Sequence, residues 1–201
     1  MGTFELIVGC MFAGKTSELI RRIKREHVAH KKVVLFKPKL DSRYDPNKVS
    51  THDQLQLHAE VVQNTQQLRD YLANNPVDVV GIDEIQFFDE PIIAFCQSIV
   101  KDKTSKIKII AGGLSRDFRS EPFSFLHSKR HIGELMPLAN TILVLRAICT
   151  HKDEHGTCGR DADYTQRLIN GKPAKYDDPI VLVGSQESYE ARCGTHHFVE
   201  K

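Results

Sequence analysis

Phe4-Glu5-Leu6-Ile7-Val8-Gly9-Cys10-Met11-Phe12-Ala13-Gly14-Lys15-Thr16-Ser17-Glu18 decides the fold. An apolar run ends at Gly9, four residues intervene, and Gly14-Lys15-Thr16 opens a helical pattern. The layout is G-x-x-x-x-G-K-T between a strand and a helix. Glycines let successive N–H groups turn inward toward phosphate oxygens. The helix N-terminus adds the positive end of its dipole. Lys15 supplies a mobile charge for the outer phosphates, and the Thr16 hydroxyl suits Mg²⁺.

Outward from this loop, the chain reads as alternating strands and helices. A helix is predicted from Thr16 to about Ala29, with Leu19, Ile20 and Ile23 facing in and Arg21, Arg22, Lys24 and Arg25 facing out. That basic face reads as solvated surface, with a nucleic-acid contact as the alternative. Val33-Val34-Leu35-Phe36 is a continuous apolar run, the mark of a strand buried on both faces. The polar segment beginning at Asp41-Ser42-Arg43 comes after the C-terminal end of that strand, where parallel sheets bind ligands. A solvated loop is the other reading.

A helix is predicted over Thr65 to Ala73, capped by Asn64 or Thr65. Residues 77–82 form the next buried strand, which closes on Asp83-Glu84-Ile85-Gln86-Phe87-Phe88. An acidic pair ending an apolar strand downstream of a phosphate loop is the Walker-B arrangement. One carboxylate serves the Mg²⁺, and the second is free to act as base or to orient water. Asp89 is expected to cap a helix with Pro91 in its first turn. Strands are expected at Lys106 to Ala111 and Thr141 to Arg146. Between them runs a loop with Phe118, Phe123 and Phe125, whose rings would stack on a flat base or pack down on the core.

These βαβ units imply an α/β fold: a P-loop NTPase-like, mostly parallel sheet with helices on both faces, over 1–146. From 147 to 201 the texture changes. Cys149, His151, His155 and Cys158 make one group of potential ligands, and Cys193, His196 and His197 a second. Between them lie a hairpin and the apolar strand Ile180-Val181-Leu182-Val183. Two ligand pairs flanking a hairpin make a zinc ribbon. Cys193-x-x-His196 has knuckle spacing. Cys149 and Cys158 are separated by eight residues, so either Cys149 or His155 would complete the first pair, thiolate being the better ligand.

Composition sets the frame. The 201 residues carry a net charge of only +2, so nothing global demands nucleic acid or a membrane. No run reaches the ~18 apolar residues of a membrane span. The chain enters a strand at once, without a signal-peptide layout, and its five cysteines are an odd set for a disulfide framework. A cytoplasmic protein is expected.

Gly9 to Thr16, Asp41-Ser42-Arg43-Tyr44, Asp83 to Phe88, Gly113-Leu114 with Phe118 and Pro122-Phe123, and the Cys/His ribbon occur in one order. Together they resemble the type II thymidine kinases, the bacterial and vertebrate-cytosolic class, over nearly the whole chain. The resemblance implies transfer of the γ-phosphate of ATP to the 5′-hydroxyl of thymidine, and of deoxyuridine. It implies that Gly9, Cys10, Met11, Phe12, Ala13, Gly14, Lys15 and Thr16 bind ATP, with Asp41, Ser42, Arg43, Asp83, Glu84, Ile85 and Gln86 on the nucleotide side. Thr16 and Asp83 would serve Mg²⁺, and Glu84 would be the catalytic base. Met11, Phe87, Leu114, Phe118 and Tyr189 would wall the nucleoside pocket. Thr165 and Ile180, Val181, Leu182, Val183 and Gly184 would bring backbone groups to the thymine edge. Cys149, Cys158, Cys193 and His196 would hold a structural zinc that pins a lasso-like lid. The resemblance also implies a homotetramer inhibited by thymidine triphosphate. Two positions depart from the family pattern: the long Cys149–Cys158 spacing in place of Cys-x-x-Cys, and Ser115 where many members carry an acidic residue.

Overall fold

A computed structural model describes residues 1–39, 59–181 and 187–201. Asp41, Ser42, Arg43, Leu182, Val183 and Gly184 lie outside the described residues. Six strands form one sheet: β1 (Thr3–Gly9), β2 (Val33–Pro38), β3 (Ala59–Val62), β4 (Val79–Ile82), β5 (Lys108–Leu114) and β6 (Thr141–Leu145). Their order is β3-β2-β4-β5-β1-β6, and every pairing is parallel.

The two-residue period of a strand divides the core. Phe4, Leu6 and Val8 of β1, Val34 and Phe36 of β2, and Ile109 and Ala111 of β5 face one side. There they meet Leu68 of α2 (Thr65–Asn74) and Ile92, Phe95 and Cys96 of α3 (Pro91–Lys101). The intervening Ile7, Leu35 and Ile110 face the other side and meet Leu19 and Ile23 of α1 (Lys15–Val28). Leu19 and Ile23 are one helical turn apart and fully buried, so Leu19→Ala would cost roughly 2–5 kcal/mol. The opposite face of α1 is ion-paired: Glu18 accepts from Arg21 at 2.6 Å and from Arg22 at 2.8 Å.

Several boundaries differ from expectation. Asn64 caps α2, its Oδ1 accepting from the Gln67 N–H at 3.0 Å. Asp89 does not cap α3: Glu90 stands at that position without a side-chain cap bond. The Asp89 carboxylate instead receives the Thr65 N–H and hydroxyl at 2.8 and 2.5 Å, joining the starts of α2 and α3. β5 runs on through Gly112, Gly113 and Leu114, and β3 adds an edge strand that the sequence pattern does not announce. Ile180 and Val181 are not in a strand; both pack on the main core as loop residues.

The C-terminal segment is built of short antiparallel pieces. β7 (Ala147–Ile148) pairs with β10 (Asp161–Ala162), and between them β8 (Lys152–Asp153) and β9 (Gly156–Thr157) form a small hairpin. β11 (Tyr164–Ile169) pairs with both β12 (Lys172–Pro173) and β13 (Glu187–Arg192). Asn170 (φ 52°) and Gly171 (φ 77°) both take left-handed conformations at the β11–β12 turn, as a two-residue type I′ turn requires. No helix among the described residues is long and apolar enough to cross a membrane.

Candidate active site

The C-terminal ends of β1, β4 and β5 converge, and the functional residues sit just beyond them. After β1, the loop from Gly9 to Thr16 turns at Gly14, whose φ of 82° suits glycine, and enters α1. Lys15 is buried and points back into the loop, its Nζ donating to the Cys10 carbonyl at 2.7 Å. Burial pulls its pKa below the usual lysine value, while Glu84, Cys10 and Asp83 oppose that fall.

Asp83 comes directly after β4 and is buried against α1. The Thr16 hydroxyl lies 3.2 and 3.3 Å from its two carboxylate oxygens. Burial first, then the charge of Glu84, pushes Asp83 up to about 7 from an ordinary 3.8, with Thr16 and Lys37 working against the rise. A carboxylate and a hydroxyl converging beneath a phosphate loop are the hard oxygen donors that Mg²⁺ takes. The residues present therefore fit that ion.

Glu84 occupies the left-handed region (φ 48°, ψ 47°), a conformation that costs a non-glycine residue of order 1–3 kcal/mol. It is half-exposed, whereas Asp83, Ile85, Gln86 and Phe87 around it are buried. The Gln86 amide donates to Glu84 Oε2 at 2.5 Å, and its oxygen accepts from the Leu114 N–H at 3.0 Å.

Leu114, which Gln86 joins to Glu84, also lines a cavity together with Met11, Phe87, Phe118, Thr165, Ile180, Val181 and Tyr189. All eight are residues that the family resemblance places around the nucleoside. The cavity also takes in Arg116, Asp117 and Phe123, which the resemblance does not assign to the pocket. Phe123 meets Phe87 edge-on, with ring centroids 5.5 Å apart. Of the loop aromatics, Phe118 and Phe123 line the cavity, and Phe123 and Phe125 are packed into the core. The Thr165 hydroxyl accepts from the Met11 N–H at 3.0 Å, and the Cys10 thiol reaches the Ala162 carbonyl at 3.2 Å. The phosphate loop and the C-terminal segment are thereby joined directly.

The four donor atoms of Cys149, Cys158, Cys193 and His196 all lie within 4.8 Å of one another. His196 Nδ1 is 3.6 Å from both Cys149 Sγ and Cys193 Sγ. Zinc–sulfur and zinc–nitrogen bonds of ~2.3 and ~2.0 Å in a tetrahedron set such atoms ~3.6 Å apart. The cluster therefore fits zinc. Arg160 donates to Cys158 Sγ at 3.3 Å and draws that thiol down to about 7, which favours the ligating thiolate. The residues between Cys149 and Cys158 are taken up by the β8–β9 hairpin, so both cysteines still reach the cluster. His155 sits at the hairpin tip, about 85% exposed, and is not part of it.

A phosphate loop, a buried Thr–Asp pair, a second carboxylate and an adjoining aromatic cavity define a P-loop phosphotransferase with a cyclic or flat acceptor. The comparison with known proteins makes the class specific. The family model for thymidine kinase matches residues 2–197. A thymidine kinase of Mesoplasma florum is 42% identical over 205 residues, covering 100% of this chain and 94% of that protein. The chain belongs to the thymidine kinase family, and it is a kinase.

Proposed function

We propose that the protein transfers the γ-phosphate of ATP to the 5′-hydroxyl of thymidine, with Glu84 as the base. The observation that carries this reading is the connection of Glu84: it directly follows Asp83, the partner of Thr16, and is bonded through Gln86 to Leu114 of the cavity wall. Phosphoryl transfer needs alignment and charge neutralisation more than covalent chemistry.

In this account the N–H groups from Gly9 to Thr16 cradle the phosphates. Lys15 leaves the Cys10 carbonyl for the outer phosphate oxygens. Thr16 and Asp83 would hold Mg²⁺, which would supply positive charge to the phosphates. Glu84 accepts the 5′-hydroxyl proton as the oxygen attacks phosphorus, and Arg43 is a further candidate for neutralising the γ-phosphate. The family likeness groups residues Asp41 to Arg43 and Asp83 to Gln86 on the nucleotide side. Thr165 and the stretch from Ile180 to Gly184 border the thymine edge. Cys149, Cys158, Cys193 and His196 would hold a structural zinc that pins the loop between them as a lid, within a domain of residues 147–201 separate from 1–146. Met11 serves both substrates, its backbone in the phosphate loop and its side chain in the nucleoside cavity.

The family likeness extends the proposal to deoxyuridine as a second substrate, to feedback by thymidine triphosphate, to a cytoplasmic location and to a homotetramer. The exposed Ile142 and Val144 on the edge strand β6 support self-association. A screen of nucleosides with ATP and Mg²⁺ tests the reading. Thymidine and deoxyuridine should be phosphorylated well, and purine nucleosides poorly. Phosphorylation of no nucleoside would overturn it.

A further inference from the structure

The family resemblance groups Gln86 with the ATP contacts, but the hydrogen bonds of its amide run elsewhere. The side chain is fully buried in a single 3₁₀ turn, Ile85–Phe87. Its oxygen accepts from the Leu114 N–H at 3.0 Å. A backbone N–H can only donate, so this bond fixes the amide orientation and turns its NH₂ toward Glu84. The NH₂ meets Glu84 Oε2 at 2.5 Å.

The seat of this amide is shaped closely. A Cβ on Gly113 would lie 2.7 Å from Gln86 Oε1 and 2.9 Å from Ile132 Cδ1, so any side chain there would displace the amide. Glu84 itself sits in a left-handed conformation with its side chain half-exposed, and a long carboxylate so placed has several rotamers to choose from. The Gln86 amide selects one. Leu114, at the other end of the bridge, walls the cavity.

We propose that Gln86 is a positioning residue for the catalytic base, tying the Glu84 carboxylate to the nucleoside-pocket wall at Leu114 rather than contacting ATP. The inference rests on Glu84 being the base of the kinase reading above. Its consequence is that acceptor and base are placed by one rigid group. A shift of the pocket wall is passed to the carboxylate that must meet the 5′-hydroxyl.

The test is steady-state kinetics with ATP, Mg²⁺ and thymidine on the full chain and its variants. Gln86→Met preserves much of the packing and removes the donor to Glu84. Its kcat should fall at least ~10-fold while KM for ATP stays within about twofold. Gln86→Leu should show the same split and serves if the first variant does not fold. In a Glu84→Gln background, Gln86→Met should lower kcat by less than about twofold more, because the group it positions is already gone. A raised KM for ATP with unchanged kcat would make Gln86 an ATP contact and overturn the proposal. Equal losses in both backgrounds would make it merely structural. If the unmutated protein phosphorylates thymidine but Glu84→Gln is equally active, the base assignment fails; if it phosphorylates none, the kinase reading fails with the proposal.

Discussion

The Thr165 hydroxyl holds the backbone of Met11: the Met11 N–H donates to Thr165 Oγ1 at 3.0 Å. Met11 lies in the phosphate loop, and Thr165 lies on β11 of the C-terminal segment. This bond, with that of the Cys10 thiol to the Ala162 carbonyl, joins the phosphate loop to the C-terminal segment.

Thr165→Val keeps the shape and leaves the Met11 N–H without its acceptor, a loss of ~1–3 kcal/mol at a partly buried site. Thymidine KM should rise roughly tenfold, and Thr165→Ser should stay near the unmutated value. Steady-state kinetics on both variants checks this. An unchanged KM in the Val variant would remove the hydroxyl from the account.

The Cys₃His cluster, which fits zinc, predicts a dependence of nucleoside binding on metal. Next to Cys193 and His196 stands His197, whose Nε2 lies 2.9 Å from the carbonyl of Phe118, a wall of the cavity. Cys193→Ser should lower both the zinc content and the melting midpoint. It should also weaken thymidine binding roughly tenfold, as is typical when a metal organises a small segment. Zinc analysis and a thymidine titration on the same sample decide it. Full affinity with less than about half an equivalent of zinc would contradict the claim.

The two carboxylates at the end of β4 give a pH prediction. Asp83 is raised, by burial and then by Glu84, from 3.8 to about 7. A folded-state value above the unfolded one means that the ionised form disfavours folding in metal-free protein. The penalty is absent below the unfolded value, grows as pH rises and is full above the folded one. Asp83→Asn should therefore stabilise the metal-free protein by ~1–3 kcal/mol near pH 8 and by almost nothing near pH 4. Denaturant unfolding at the two pH values measures it. An equal effect at both would contradict the assignment.

Much of the fold was legible because its signals are local. The run Phe4 to Val8, the glycines of the phosphate loop and the continuous Val33 to Phe36 each identify an element without help from distant residues. The Cys₃His cluster was legible from ligand type, though only the β8–β9 hairpin explains how Cys149 and Cys158 close over eight residues. What escaped depends on contacts far apart in sequence. β3 is four residues long at the sheet edge, with only Val62 buried, so it carries little apolar pattern. The apolar Ile180 and Val181 look like a strand but serve as packed loop residues beside the pocket. Asp89 looks like a cap until Thr65, distant in sequence, is seen to take its carboxylate. Gln86 gives no local hint of Leu114, and so this bond could not be read before the fold was known.

The central claim is that Glu84 removes the proton from the 5′-hydroxyl. Single-turnover phosphorylation of thymidine at saturating ATP and Mg²⁺ should be at least ~100-fold slower in Glu84→Gln, with ATP binding nearly intact. A rate equal to that of the unmutated protein would contradict the claim.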